Sequence, residues 1–127
     1  MHRLLSGRRV LVVEDEMMVL LNIEDALADL GCSDVSVAAT VDDALALVEG
    51  ESFDVAMLDV NLGGQASYGV ADALALHSIP FVFSTGYGEH GIEARFGDRL
   101  VLRKPYSDRQ LGAALDSLLP DGHEIVA

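Results

Sequence analysis

Val10-Leu11-Val12-Val13-Glu14-Asp15-Glu16 sets an unbroken apolar run against an abrupt cluster of acids. The apolar part, rich in β-branched side chains, reads as a short buried strand. A strand with one wet face would alternate polar and apolar residues, so a continuous run implies cover on both faces. The pattern recurs down the chain. Val35 to Ala38, Phe53 to Leu58, Phe81 to Ser84 and Leu100 to Leu102 read as the second to fifth strands. Amphipathic stretches separate them. Met17 to Leu30 carries Leu20, Ile23, Leu27 and Leu30 at helical spacing, with Gly31 where a helix C-terminal glycine belongs. Thr40-Val41-Asp42-Asp43 is an N-cap with an acid three residues on, opening a helix through Val48. Val70 to Leu76 belongs to a third helix, ended before Pro80. Ser107-Asp108-Arg109-Gln110 is a capping box for a last helix, with Leu111, Leu115, Leu118 and Leu119 inward and Pro120 as its stop.

Five strands alternating with helices predict an α/β fold: a flavodoxin-like, doubly wound, five-stranded parallel sheet of order 2-1-3-4-5. The stretch Gly86 to Arg103 holds Gly86, Gly88, Gly91 and Gly97, so the fourth helix is expected to be short or irregular. The 127 residues suit one domain over 1–127, with its core at about 8–118 and a flexible tail at 119–127. With no output domain expected after the last helix, the chain reads as a stand-alone module.

Composition narrows the function. The net charge is −13, with seven arginines and one lysine against 21 acids. Nucleic acid and anionic membranes, which need clustered cations, are disfavoured. No apolar run reaches the length of a membrane span or of a signal peptide, so a cytoplasmic location is expected. Cys32 is the only cysteine, which fits a reducing compartment and a packing role. His2, His77, His90 and His123 lack metal-ligand spacing and read as surface residues.

The polar residues with chemistry fall at strand ends. Glu14 and Asp15 follow the first strand, Asp59 the third, Thr85 the fourth and Lys104 the fifth. In an open parallel sheet, ligands bind beyond the carboxyl ends of the strands. Order 2-1-3-4-5 brings these five residues into one crevice. Three carboxylates there repel one another unless a cation intervenes, and an oxygen-only donor set suits a hard ion such as Mg²⁺. One carboxylate is then a candidate nucleophile toward phosphorus, with a hydroxyl and an ammonium left for the phosphoryl oxygens. Glu16 is expected in the first turn of its helix, where the dipole favours an acid.

Four segments carry a family resemblance: Val12-Val13-Glu14-Asp15-Glu16, Leu58-Asp59-Val60-Asn61-Leu62, Ser84-Thr85-Gly86 and Lys104-Pro105-Tyr106. In this order and at these strand ends they resemble the signature of response-regulator receiver domains of two-component systems. Phe83-Ser84-Thr85-Gly86-Tyr87 is similar to the Phe-Ala-Thr-Gly-Tyr signature of a single-domain subgroup. The resemblance implies that Asp59 is the phosphoacceptor and that Asp15 binds Mg²⁺ directly, with Glu14 acting mainly through water. Asn61 would lend the metal its backbone carbonyl, leaving its side chain free to vary. Thr85 and Lys104 would bind the phosphoryl group, and the Lys104–Pro105 bond would be cis. The implied partners are a histidine kinase or histidine phosphotransfer protein and a downstream protein target, with the chain a monomer or weak dimer. It would be no enzyme beyond assisting its own phosphorylation and dephosphorylation.

The usual aromatic switch position, three residues before the lysine, is Val101 here. Phosphorylation is therefore expected to act by ordering Gly86 to Arg103. A phosphate shuttle or sink is the alternative within the family. An aspartyl-nucleophile phosphohydrolase is the enzyme alternative, disfavoured because Asp59 is followed by Val60-Asn61 on the third strand rather than opening an Asp-x-Asp motif near the first. Nucleotide binding lacks a glycine-rich loop after the first strand.

Overall fold

The computed structural model describes residues 4–86, 92–97 and 99–119. In chain order the elements are β1 (Arg9–Val13), α1 (Met17–Asp29), β2 (Asp34–Ala38), α2 (Val41–Gly50), β3 (Val55–Asp59), β4 (Asn61–Leu62), β5 (Gln65–Ala66), α3 (Tyr68–Leu76), β6 (Phe81–Thr85), a 3₁₀ turn (Ala94–Phe96), β7 (Val101–Arg103) and α4 (Asp108–Leu118). The main sheet has five strands in the order β2-β1-β3-β6-β7, all paired in parallel. With the two-stranded β4–β5 hairpin set aside, this is the expected 2-1-3-4-5 order. In place of a regular helix between β6 and β7, the described residues show only the short 3₁₀ turn. Expectations about Tyr87, Gly88, His90, Gly91, Pro120 and most of the tail, like those about His2 and His123, lie outside the described residues.

Alternation along the strands explains the doubly wound cover. Leu11 and Val13 of β1, Ala56 and Leu58 of β3 and Phe81 and Phe83 of β6 point into one apolar layer with α2 and α3. Val10 and Val12, Val55 and Met57, and Val82 point into the other, with α1 and α4. Successive residues of a strand face opposite sides, so a strand covered on both faces must be apolar throughout. The core reaches slightly past 8–118: Leu5 is fully buried and Leu119 is 5% exposed.

The caps follow the sequence signals. Thr40 accepts from the Asp43 N–H, and Ser107 with Gln110 forms a complete capping box. Gly31, with φ +90°, follows α1 in a conformation that side chains disfavour. Glu16 departs from expectation. It is the extended residue before α1, whose first turn carries no acid. The cause is local: its N–H donates to Glu14 Oε2 at 3.1 Å, holding the backbone extended for one more residue.

Burial predicts a steep contrast between two leucines. Leu115 of α4 is fully buried, whereas Leu76 of α3 is 80% exposed. Leu115→Ala is expected to lower unfolding stability by roughly 2–5 kcal/mol, through lost transfer energy and the cavity left behind. Leu76→Ala should stay within about 0.5 kcal/mol of the parent. Urea unfolding of the two variants measures the difference, and equal losses would contradict this packing.

Candidate functional site at the carboxyl edge of the sheet

The parallel register gathers the site. Glu14 leaves β1 with its N–H on the Ala38 carbonyl at 3.0 Å, Asp59 closes β3 opposite Ser84, and Thr85 closes β6 opposite Arg103. The Lys104 N–H donates to the Thr85 carbonyl at 2.8 Å, extending the ladder by one residue and turning the lysine toward the same edge. The Lys104–Pro105 peptide is cis. Glu14, Asp59 and Thr85 are buried, and Asp15 is exposed at the rim. One carboxylate oxygen from each of Glu14, Asp15 and Asp59 lies within 4.8 Å of the other two. Lys104 Nζ stands 3.0 Å from Glu14 Oε1 and 3.1 Å from Asp59 Oδ2.

Charge and burial pull against each other. Burial pushes the Glu14 carboxyl above the ordinary carboxylate range, and the Asp59 charge adds to this, while Lys104 works the other way. For Lys104, burial alone would lower the pKa. The hydrogen bond to Glu14 and the charge of Asp59 outweigh it, so the ammonium form is held above its usual range. Burial likewise raises the phenol of Tyr106, which neighbours the Ser84 hydroxyl. Neither of these two buried hydroxyls makes a well-formed hydrogen bond.

A hairpin that the sequence reading passed over frames the opposite side of the crevice. β4 and β5 pair antiparallel, Asn61 opposite Ala66, around Gly63 and Gly64 at φ +59° and +89°. Two central residues at positive φ are the requirement of a type I′ turn, and a Gly-Gly pair was the available signal. The Gly63 N–H donates to Asp15 Oδ2 at 2.9 Å, so the turn holds the exposed acid. The Asn61 side chain also serves this turn, with Oδ1 accepting the Gly64 N–H at 2.8 Å to close it. Its own N–H donates to Asp59 Oδ1 at 3.2 Å. Ser67, also missed, is fully buried and donates from Oγ to the Asp59 main-chain carbonyl at 2.6 Å.

The acids supply only oxygen donors at spacings compatible with one shared ion, so this donor set fits a hard divalent cation. Of the residues picked out from sequence, Glu14, Asp15, Asp59 and Lys104 meet directly, Thr85 ends the adjacent strand, and Asn61 reaches Asp59 through its N–H.

Comparisons with known proteins bear on the fold and the family. The family model described as response regulator receiver domain matches residues 10–116. The solution structure of SdrG from Sphingomonas melonis Fr1 superposes with a TM-score of 0.80 at 44% identity, covering 91% of this chain and 97% of that one. The BeF3-activated conformation of SdrG from Pseudomonas melonis Fr1 gives 0.77 at 42% identity over 91% of this chain and 98% of that one. The receiver domain of the sensor histidine kinase PA1611 from Pseudomonas aeruginosa PAO1, solved with a magnesium ion coordinated in its active site cleft, shares the fold at 22% identity and a TM-score of 0.78, over 89% of this chain and 98% of that one. The probable transcriptional regulator ycf27 of Cyanophora paradoxa is 31% identical over 121 residues, 91% of this chain and 49% of that protein. The chain therefore spans about half the length of that curated relative.

Removing the one ammonium exposes the balance of this site. Lys104→Ala leaves Glu14 and Asp59 buried without their cation, and breaking such a pair typically costs about 3–5 kcal/mol. The loss should depend on pH. Without Lys104, which pulls it down, the Glu14 carboxyl is raised further above the ordinary carboxylate range. A carboxyl whose folded pKa is raised contributes stability below its unfolded pKa and loses it as pH rises through the folded one. The deficit relative to the parent should therefore be larger at pH 8 than at pH 5. Denaturant unfolding at both pH values in chelator-treated buffer measures it, and a deficit that is the same at both contradicts this electrostatic account.

Proposed function

The chain belongs to the response regulator receiver family, and from that premise we propose that Asp59 accepts a phosphoryl group from a histidine kinase or histidine phosphotransfer protein in a Mg²⁺-dependent reaction. The phosphorylated form then signals by binding a downstream protein. The observation that carries this is the meeting of Glu14, Asp15 and Asp59 with Lys104 at one edge of the sheet. Glu14, Asp15 and Asp59, with the Asn61 carbonyl, would hold the cation, which when bound neutralises charge on the transferring group.

The protein's own residues do the rest. An Asp59 carboxylate oxygen forms the bond to phosphorus as the P–N bond of phosphohistidine breaks, and the leaving imidazole takes the electron pair. Asn61 N–H orients Oδ1 of that carboxylate. Lys104, bonded to Asp59 Oδ2, is placed to follow the incoming negative charge. Thr85, one residue beyond the strand position opposite Asp59, offers its hydroxyl to the phosphoryl oxygens. This is a signalling protein acting on its own aspartate, with no second substrate. We place it in the cytoplasm, with residues 1–127 forming one receiver domain, monomeric or weakly dimeric. Among the described residues no helix is long and apolar enough to cross a membrane.

Acetyl phosphate with Mg²⁺ should label the protein with a hydroxylamine-sensitive phosphate, and Asp59→Asn should remove the label while circular dichroism stays that of a folded domain. Label that persists on Asp59→Asn would refute the assignment. Mg²⁺ alone should raise the melting temperature, because it binds the native cluster and little of the unfolded chain. At about 100 times its dissociation constant the gain is roughly 2.7 kcal/mol. A thermal scan showing no shift in a folded sample would count against the metal assignment.

A further inference from the structure

Among the described residues, three serines and threonines occupy helix N-caps, and one behaves differently. Thr40 Oγ1 accepts the Asp43 N–H, and Ser107 Oγ accepts the Gln110 N–H. This is how such residues ordinarily stabilise a helix start. Ser67, the N-cap of α3, makes no side-chain cap bond. Its hydroxyl donates instead to the Asp59 main-chain carbonyl at 2.6 Å, and the residue is fully buried.

The backbone of Ser67 acts on the same place. Its N–H donates to the Val60 carbonyl at 2.9 Å. The peptide containing that carbonyl carries the Asn61 N–H, which donates to Asp59 Oδ1 at 3.2 Å. The peptide containing the Asp59 carbonyl carries the Val60 N–H, which donates to the Ser84 carbonyl at 3.1 Å. One residue thus holds both peptide planes that follow the Asp59 Cα. The first plane fixes how the chain leaves β3, and the second aims a donor at the carboxylate. A peptide group is rigid, so holding one end of it places the other. Rotation of the first plane would change how the chain leaves Asp59, and rotation of the second would withdraw the Asn61 N–H that holds Oδ1 of its carboxylate.

We propose that Ser67 is a positioning residue for phosphoryl transfer to Asp59. The inference rests on the function proposed above. Ser67 touches neither phosphorus nor the reacting oxygens. It acts through the main chain of Asp59 and Val60, and α3 forgoes its cap so that the hydroxyl can do so. Transfer rates respond steeply to small displacements of a nucleophile, so the tether should appear in the rate more than in donor binding.

The experiment follows labelling by acetyl phosphate at saturating Mg²⁺, with the melting temperature of each variant measured alongside. Ser67→Ala should lower the saturating labelling rate about 10-fold, at a temperature where the variant is fully folded, and leave the acetyl phosphate concentration for half-saturation nearly unchanged. Ser67→Thr, which restores the hydroxyl, should regain at least half of the parent rate. If Ser67→Ala does not fold, Ser67→Cys fills the same space with a weak donor and should show the same loss of rate. A merely structural serine would lower the melting temperature and leave the rate per folded molecule intact. A parent-like rate in the folded variant, or no recovery with threonine, overturns the inference. Label persisting on Asp59→Asn refutes the underlying function instead, so the two failures are distinguishable.

Discussion

Lys104 Nζ lies between Glu14 Oε1 and Asp59 Oδ2, at 3.0 and 3.1 Å, and both acids are nearly sealed from solvent. Two buried carboxylates beside the rim acid Asp15 carry more negative charge than one ammonium cancels. Burying such groups is unfavourable unless they are paired, and pairing here is incomplete. The rest of the chain supplies what keeps them together. β1 and β3 are neighbours with apolar cover on both faces, so their ends are fixed by packing that the acids do not have to provide. The surplus negative charge is what makes the edge receptive to a hard cation. A domain with a net charge of −13 offers few alternatives for neutralising it, since Lys104 is its only lysine.

The elements that could be read from the sequence are those whose signal lies in consecutive residues. The apolar runs marked every strand of the main sheet to within two residues at either end, most clearly in the inner strands β1, β3 and β6, where burial on both faces leaves no room for alternation. The Thr40 and Ser107 caps were legible because the residues that make them stand three apart. Glu14, Asp59 and Lys104 were legible through their position after the strands and through the order in which parallel strands assemble. The α3 boundary was not. Its helix begins at Tyr68, two residues before the apolar pattern starts, because Ser67 is held by Asp59 and Val60 rather than by a local cap. Glu16 failed for a related reason: a carboxylate two residues upstream took its N–H. Contacts between a side chain and a distant main-chain group leave no periodicity to find.

Val101 poses a different constraint. Val101 is a β-branched side chain, stiff at χ1 and 37% exposed on β7. Aromatic packing beside β6 comes from the other direction. Tyr68, the first residue of α3, stacks on Phe96 with centroids 5.4 Å apart and meets Phe83 edge-on at 6.1 Å. The Tyr68 hydroxyl accepts the Glu93 N–H at 3.1 Å, and Arg95 pairs with Asp72 of α3. The residues around the 3₁₀ turn are therefore fastened to α3 rather than to the β7 edge.

That fastening matters because α3 begins at the acidic site. Ser67 holds the main chain of Asp59, and the next residue, Tyr68, holds Phe96 and Glu93. Ser67 and Tyr68 bring the exit of β3 and the 3₁₀ turn onto one helix start, by hydrogen bonds of 2.6 and 2.9 Å on one side and by an aromatic stack and the Glu93 N–H on the Tyr68 hydroxyl on the other. In this chain the aromatic contacts on Phe83 of β6 come from Tyr68, Phe81 and Phe96, while position 101 on β7 holds a valine, so the aromatic packing beside the site runs along the start of α3 rather than along β7.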